Sequence, residues 1–161
     1  MSNQPRSLKN LQQALSMELT ATHQYLLHAH VLEDWGLETL AAKMREEMQE
    51  ELGHAGRFID RILFLGGDPK VSEQKPAKQA DTLKELFEAD LADEEEAIAF
   101  YTEAANAASD DADVGTRTMF EAIVLDEEGH MGWLRQQLDL IKRIGEAAYI
   151  SQHMALSPSA Q

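Results

Sequence analysis

Two stretches of this 161-residue chain carry one polar pattern at a constant offset of 76 residues. Glu51-Leu52-Gly53-His54 is answered by Glu127-Glu128-Gly129-His130 (127 − 51 = 76), and each Glu-x-x-His has a further glutamate 33 positions upstream, Glu18 and Glu94 (51 − 18 and 127 − 94). Tyr25 and Tyr101, Leu15 and Leu91, Ala21 and Ala97, Gly53 and Gly129, and Gly56 and Gly132 keep the same spacing. The pattern reads as two copies of one hairpin. It also selects Glu94 from the acidic run Asp93-Glu94-Glu95-Glu96, which inspection of that run alone leaves ambiguous.

The hairpins are helical. Apolar residues recur at three and four, with no strand-like alternation over any useful length. Leu8, Leu11, Leu15, Thr22, Tyr25, Ala29 and Leu32 share one face of a first helix that ends near Asp34-Trp35-Gly36. A second runs from about Glu38 to Gly66-Gly67-Asp68-Pro69, with Leu40, Met44, Met48, Ala55, Phe58, Ile62 and Leu65 inward. Residues 68–81 are polar with two prolines and read as a loop, after which Asp81 is the expected N-cap of a third helix bearing Leu83, Phe87, Leu91, Ile98, Tyr101 and Ala105. Ser109-Asp110-Asp111-Ala112-Asp113 breaks it, and a fourth helix carries Met119, Ile123, Leu134, Leu138 and Ile141 up to Gly145. A short amphipathic fifth helix runs to about Leu156, so residues 1–156 are expected to form one domain and 157–161 a flexible tail.

The connections near 36 and 112 are short enough for antiparallel helix pairs. The middle loop, at about 3.3 Å per residue, reaches roughly 46 Å, the length of a helix of about 29 residues. It can therefore run the length of the bundle and start the third helix at the far end. The expected fold is all-α: a ferritin-like four-helix bundle with one long crossover and a short fifth C-terminal helix.

Composition narrows the function. Zero cysteines exclude disulfides, iron–sulfur clusters and thiolate metal sites. With 14 basic against 29 acidic residues, a net charge of −15 repels phosphates and anionic lipid and attracts cations, so neither nucleic acid nor a membrane is an expected partner. No apolar run approaches the roughly 20 residues a membrane span needs, and Met1-Ser2-Asn3-Gln4-Pro5-Arg6 lacks the apolar core of a secretory signal. A cytoplasmic location is expected.

Six residues carry the chemistry: Glu18, Glu51, His54, Glu94, Glu127 and His130. A glutamate and a histidine three positions apart share a helix face and can present a carboxylate and an imidazole to one point. Glu18 lies about 18 residues before the first turn and Glu51 about 15 after it, so antiparallel pairing brings their heights within roughly one helical turn. All four glutamates occupy apolar seam positions. Left unpaired there, each would cost several kcal/mol or take up a proton, whereas two divalent cations would balance the four charges. Oxygen donors with one imidazole per metal suit iron or manganese. One Glu from each of two helices with Glu-x-x-His from each of the others is the ligand pattern of di-iron carboxylate bundles.

Over nearly its whole length the chain resembles the bacterioferritins. The resemblance rests on Glu18-Leu19, Gln24-Tyr25-Leu26-Leu27-His28-Ala29, Trp35-Gly36-Leu37, Glu51-x-x-His54-Ala55, Arg61-Ile62-Leu63-Phe64-Leu65, and Asp126-Glu127-Glu128-Gly129-His130 with Trp133-Leu134. It implies a hollow 24-subunit shell that oxidises Fe(II) at an intrasubunit di-iron centre, with O2 or H2O2 as acceptor, and stores ferric mineral. By position, Glu18, Glu51 and His54 would hold one iron and Glu94, Glu127 and His130 the other, with Glu51 and Glu127 as bridges. Tyr25 matches a tyrosine that acts in the family as a nearby redox participant; core packing with a satisfied hydroxyl is its other reading. Trp35 and Trp133 read as packing residues.

Three departures matter. Bacterioferritins bind haem b between two subunits through a methionine immediately after the bridging glutamate of the second helix, and here that position is Leu52, which has no donor atom. Met48 lies one turn away, about 6 Å. A shell of this chain alone is expected to lack methionine-ligated haem, unless a haem-binding subunit joins a mixed shell. Where the family often has His, Glu and Asp lining an inner-surface iron site, this chain has Glu46, Glu47 and Glu50, which read as an exposed acidic face or as residues that hold iron before mineralisation. Phe58 replaces a tyrosine found in some members. The competing functions are a structural or haem-free partner subunit of a mixed cage, or another di-iron or di-manganese peroxidase.

Overall fold

The computed structural model describes residues 4–154; the end of the expected fifth helix, 155–156, and the expected tail, 157–161, lie outside the described residues. Five helices follow in order, α1 (Pro5–Asp34), α2 (Glu38–Phe64), α3 (Leu83–Asp110), α4 (Val114–Ile144) and α5 (Glu146–His153). None is long and apolar enough to cross a membrane.

Local chemistry sets the helix ends. At the close of α1, Gly36 takes the left-handed conformation (φ 80°), and Leu37 N–H donates to Leu32 O at 2.9 Å while Gly36 N–H donates to Glu33 O at 2.9 Å. The repeat reaches into this turn: 76 residues on, Ala112 adopts the same conformation (φ 56°), with Asp113 N–H on Ala108 O at 2.8 Å. The start of α3 corrects the expected cap by one residue. Thr82, not Asp81, is the N-cap: its hydroxyl accepts from Glu85 N–H at 3.1 Å, and the Glu85 carboxylate accepts from Asp81 N–H at 3.2 Å. Thr82-x-x-Glu85 satisfies two helix-end donors, where Asp81 as cap would satisfy one.

Tertiary contacts fix the topology. His28 meets Asp90, Tyr25 meets Glu94, Tyr101 meets Glu18 and Arg6 meets Asp111, so α1 and α3 run antiparallel. His54 with Asp126, His130 with Glu50 and Arg61 with Thr116 make α2 and α4 antiparallel likewise. With two antiparallel hairpins, α2 and α3 must then be parallel, and the segment joining them, residues 65–82, has to travel the length of the bundle. Side chains of α1 guide it. Gln12 exchanges two 2.8 Å hydrogen bonds with Lys70, Thr20 Oγ1 accepts from Gln74 N–H at 2.8 Å, and Gln24 pairs with the Lys78 backbone at 2.9 and 3.0 Å. These contacts satisfy backbone groups that an extended strap could not pair with itself.

The core falls into two apolar clusters. One gathers Leu32, Leu40, Met44, Leu86, Phe87, Leu134 and Tyr149; the other gathers Leu11, Leu15, Phe58, Ile62, Tyr101, Phe120 and Ile123. At the far end of the second cluster, Arg61 donates to Asp113 at 2.6 Å and to Thr116 at 3.0 Å, clamping the hairpins together. Gly115 makes room for it: a Cβ there would stand 2.6 Å from the guanidinium. At the opposite end α5 closes the bundle through Tyr149, whose hydroxyl donates to Gln137 at 2.7 Å.

Candidate metal centre

Glu18, Glu51, His54, Glu94, Glu127 and His130 meet at the level between the two apolar clusters, each at most 6 % exposed. Ligand-capable atoms of Glu18, Glu51, His54 and Glu127 lie within 4.8 Å of one another, as do those of Glu51, Glu94, Glu127 and His130. Glu51 and Glu127 are common to both sets. Each of the four long helices contributes through its inward seam, and the hairpin geometry brings the matching heights together.

Both imidazoles turn Nδ1 to the centre. His54 Nδ1 lies 3.0 Å from Glu127 Oε1 and 3.5 Å from Glu18 Oε2; His130 Nδ1 lies 3.0 Å from Glu51 Oε1 and 3.2 Å from Glu127 Oε2. Despite this proximity, neither Nδ1, neither oxygen of Glu127, nor Glu18 Oε2 or Glu51 Oε1 makes an aligned hydrogen bond. Buried polar atoms are otherwise almost always paired. Donor atoms that crowd together without pairing are aimed at shared points between them, which is what residues holding two cations require, and the oxygen-plus-imidazole donor set suits iron or manganese.

The outer nitrogens fix that orientation. Asp126 Oδ2 sits 3.0 Å from His54 Nε2, and Glu50 Oε2 sits 3.0 Å from His130 Nε2. A carboxylate only accepts, so Nε2 carries a proton and Nδ1 is the nitrogen turned to the centre, able to ligate once it gives up its own proton. The terminal carboxylates are also held: the Tyr25 hydroxyl donates to Glu94 and the Tyr101 hydroxyl to Glu18.

Burial, reinforced by Glu51, lifts Glu18 well above the usual carboxylate range, and burial with Glu127 alongside lifts Glu94. Glu127 goes the other way: burial opposes ionisation, but contacts with His130 and His54 outweigh it. Burial opposes charge on both histidines too, yet the carboxylates around them, Glu127 foremost, hold their protons well above the ordinary imidazole value. Without cations, Glu18, Glu94, His54 and His130 all favour the protonated form.

Residues 8–144 match the ferritin-like domain family. The chain is 38 % identical to the bacterioferritin of Brucella melitensis biotype 1 and 37 % identical to that of Rhodobacter capsulatus, in each case over the full length of both chains. The chain belongs to the bacterioferritins. The solved structure of Rhodobacter capsulatus bacterioferritin, which has a metal-free dinuclear site and a haem iron in a crystallographic special position, superposes at a TM-score of 0.95 with 38 % identity, covering 99 % of this chain and 100 % of that one. The Mycobacterium tuberculosis bacterioferritin BfrA superposes at 0.93 with 36 % identity, covering 96 % and 98 %.

Within this bacterioferritin chain, the remaining sequence candidates divide. Leu52 is 48 % exposed on the outside of α2, and Met48 is half-buried against the apolar cluster around Met44. Glu46 and Glu50 lie on an exposed face, but Glu47 does not: it is 3 % exposed, with Oε2 2.6 Å from His130 Nε2 and its other oxygen paired with Lys43. The acidic-face reading of Glu47 is thereby corrected, because its position on α2 falls on the seam one turn before Glu51. Phe58 is wholly buried and packs on Tyr101, ring centroids 5.7 Å apart.

Sequence reasoning passed over four buried or half-buried residues at or beside the cluster. Tyr101 was visible as the equivalent of Tyr25, but its hydrogen bond to Glu18 depends on how α1 and α3 pair. Asp126 adjoins the motif, yet only the antiparallel pairing of α2 and α4 aims it at His54. His28 and Asp90 form a buried pair, Nδ1 to carboxylate 2.9 Å, one turn beyond Tyr25 and Glu94, with Gln24 tying His28 to the crossover. Their equivalents in the repeat, Ala104 and Ala14, are small and apolar, so symmetry conceals this pair.

Proposed function

We propose that this chain is a ferroxidase subunit: Glu18, Glu51 and His54 bind one Fe(II), Glu94, Glu127 and His130 the other, with Glu51 and Glu127 bridging, and electrons pass to O2 or H2O2 before ferric iron is stored in a 24-subunit, cytoplasmic shell. The observation that carries the reading is the set of converging, unpaired donor atoms shared between two Glu/His groups. Bound as a pair, two Fe(II) ions supply two electrons together, and hard anionic donors favour the ferric product. Four carboxylates balance two divalent ions without residual charge, which offsets the desolvation of the ions in a buried site. Asp126 and Glu50 keep both Nδ1 atoms inward, and Tyr25 and Tyr101 hold the terminal carboxylates in place. A cleft lined by Ala21, Lys75, Asp93, Ala97 and the inner glutamates leads from the crossover to the cluster and supports access for a small cation.

The direct test is stopped-flow oxidation of Fe(II) added to the metal-free assembly. Rapid O2 consumption, above the buffer rate and saturating near two Fe(II) per subunit, is expected. Oxidation at the buffer rate would favour the structural-subunit reading, and manganese rather than iron in the purified protein a di-manganese enzyme. In gel filtration the cage reading expects about 430 kDa for 24 copies of an 18.0 kDa chain.

Leu52 favours a haem-free subunit, because its hydrocarbon side chain offers no iron ligand and Met48 is half-buried, packed against the apolar cluster around Met44. Shells assembled from this chain alone are expected to show no Soret band after expression with excess haem, and L52M is expected to create one. A bis-methionine haem spectrum from the unmodified chain would overturn this.

A further inference from the structure

The two halves of the centre correspond residue by residue at the 76-residue offset, so a place where the correspondence fails separates one metal position from the other. Behind the imidazoles it holds for one residue and fails for another. Glu50 corresponds to Asp126, and each sits 3.0 Å from the Nε2 of the histidine opposite. Glu47 corresponds to Ile123, and Lys43 to Met119. Glu47 is a buried carboxylate whose Oε2 lies 2.6 Å from His130 Nε2, outside hydrogen-bond alignment, while its other oxygen pairs with Lys43. Ile123, wholly buried, offers the other half only hydrocarbon. The outer nitrogen of His130 thus has two carboxylates within ion-pair reach, and that of His54 has one.

An anion behind a ligating imidazole strengthens its donation through the opposite nitrogen and restrains the ring. Lys43 anchors Glu47 from the solvent side, with its ammonium 5.5 Å above the Trp133 ring, so the carboxylate keeps its place behind His130. We propose that Glu47 is a positioning residue that makes the two metal positions unequal, so that the Glu94–His130 position takes the first divalent cation and the Glu18–His54 position the second. This rests on the two-metal reading above.

Co(II) is a suitable probe, since its visible absorption reports the ligand set without Fe(II) oxidation. Titrated into the metal-free assembly and followed by absorption and calorimetry, wild type is expected to bind two Co(II) per subunit in two steps. Steps alone decide nothing, because cations sharing Glu51 and Glu127 repel each other. The deciding result is selectivity: E47I, which installs the residue of the other half, and E47Q, which keeps the shape without the charge, weaken the first step about 10-fold or more and leave the second within about twofold. E47D, which retains the charge, recovers most of the first step. If E47I does not assemble, the near-isosteric E47Q decides. Unchanged binding in E47Q, or equal weakening of both steps, overturns the proposal. Failure of wild type to bind two Co(II) instead overturns the two-metal reading itself.

Discussion

His130→Ala is expected to lower the initial rate of Fe(II) oxidation at least about a hundredfold, to the rate of buffer, while the shell still assembles. The magnitude follows from the role of the imidazole. Loss of a residue that only orients a metal ligand typically lowers affinity or activity about 10–100-fold, and loss of the ligand itself should exceed that. The Nδ1 of His130 also stands within 3.5 Å of three glutamates, Glu51, Glu94 and Glu127, so its removal leaves carboxylates facing one another across a void. The second metal position should suffer too, because the proposed centre shares Glu51 and Glu127, which are common to both ligand groups. Assembly should persist because the apolar clusters above and below the site and the Arg61 clamp do not involve His130. Stopped-flow absorbance with an oxygen electrode gives the rate, and gel filtration gives the assembly. A variant that assembles and oxidises iron at near the wild-type rate would exclude His130 as a ligand.

Removing metal is expected to lower thermal stability substantially, and more so as pH rises. Two cations, each at about 100 times its Kd, stabilise by roughly 2.7 kcal/mol apiece, which for a chain of this size is on the order of 10–20 °C in Tm. The pH dependence follows from the protons the cluster holds. Glu18 and Glu94 are raised above their ordinary 4.5, and His54 and His130 above 6.5. All four bind a proton more tightly in the folded state than in the unfolded one. Their contribution is therefore full below 4.5 for the glutamates and 6.5 for the histidines, and is lost as pH rises through the folded values. Glu127 has the opposite sign: held low by His130 and His54, it stabilises above 4.5 and loses that contribution as pH falls. The metal-free protein should thus be less stable at pH 8.5 than at pH 6. Because cations displace these protons, metal affinity and the gain in Tm should both increase over the same interval. Calorimetric scans with and without Co(II) or Zn(II) at the two pH values test this. A metal-induced gain that shrinks with rising pH would contradict the assignment of these groups as proton-bearing ligands.

Much of this molecule is legible in one dimension because helices translate sequence spacing directly into faces and heights. The i, i+3 relation of Glu51 to His54 and of Glu127 to His130, the 33-residue separation and the 76-residue repeat each correspond to a distance along or around a rod of known pitch. The helix ends are legible for the same reason, since Gly36 and the Ser109–Asp113 run act locally. At the start of α3 two capping residues, Asp81 and Thr82, stand side by side, and the choice between them belongs to Glu85, three residues beyond Thr82.

Contacts across helices are another matter. Whether Asp126 faces His54, whether Tyr101 reaches Glu18 and whether Glu47 lies behind His130 depend on the rotation and pairing of rods far apart in the chain, to which local periodicity is blind. By itself the sequence determined an all-α bundle of two repeated hairpins and the six residues that meet within it. Tertiary structure alone decided which imidazole nitrogen faces inward, which carboxylates stand behind it and where the repeat breaks. Those features are set by antiparallel packing between α1 and α3 and between α2 and α4, whose partners lie 50 to more than 100 residues apart.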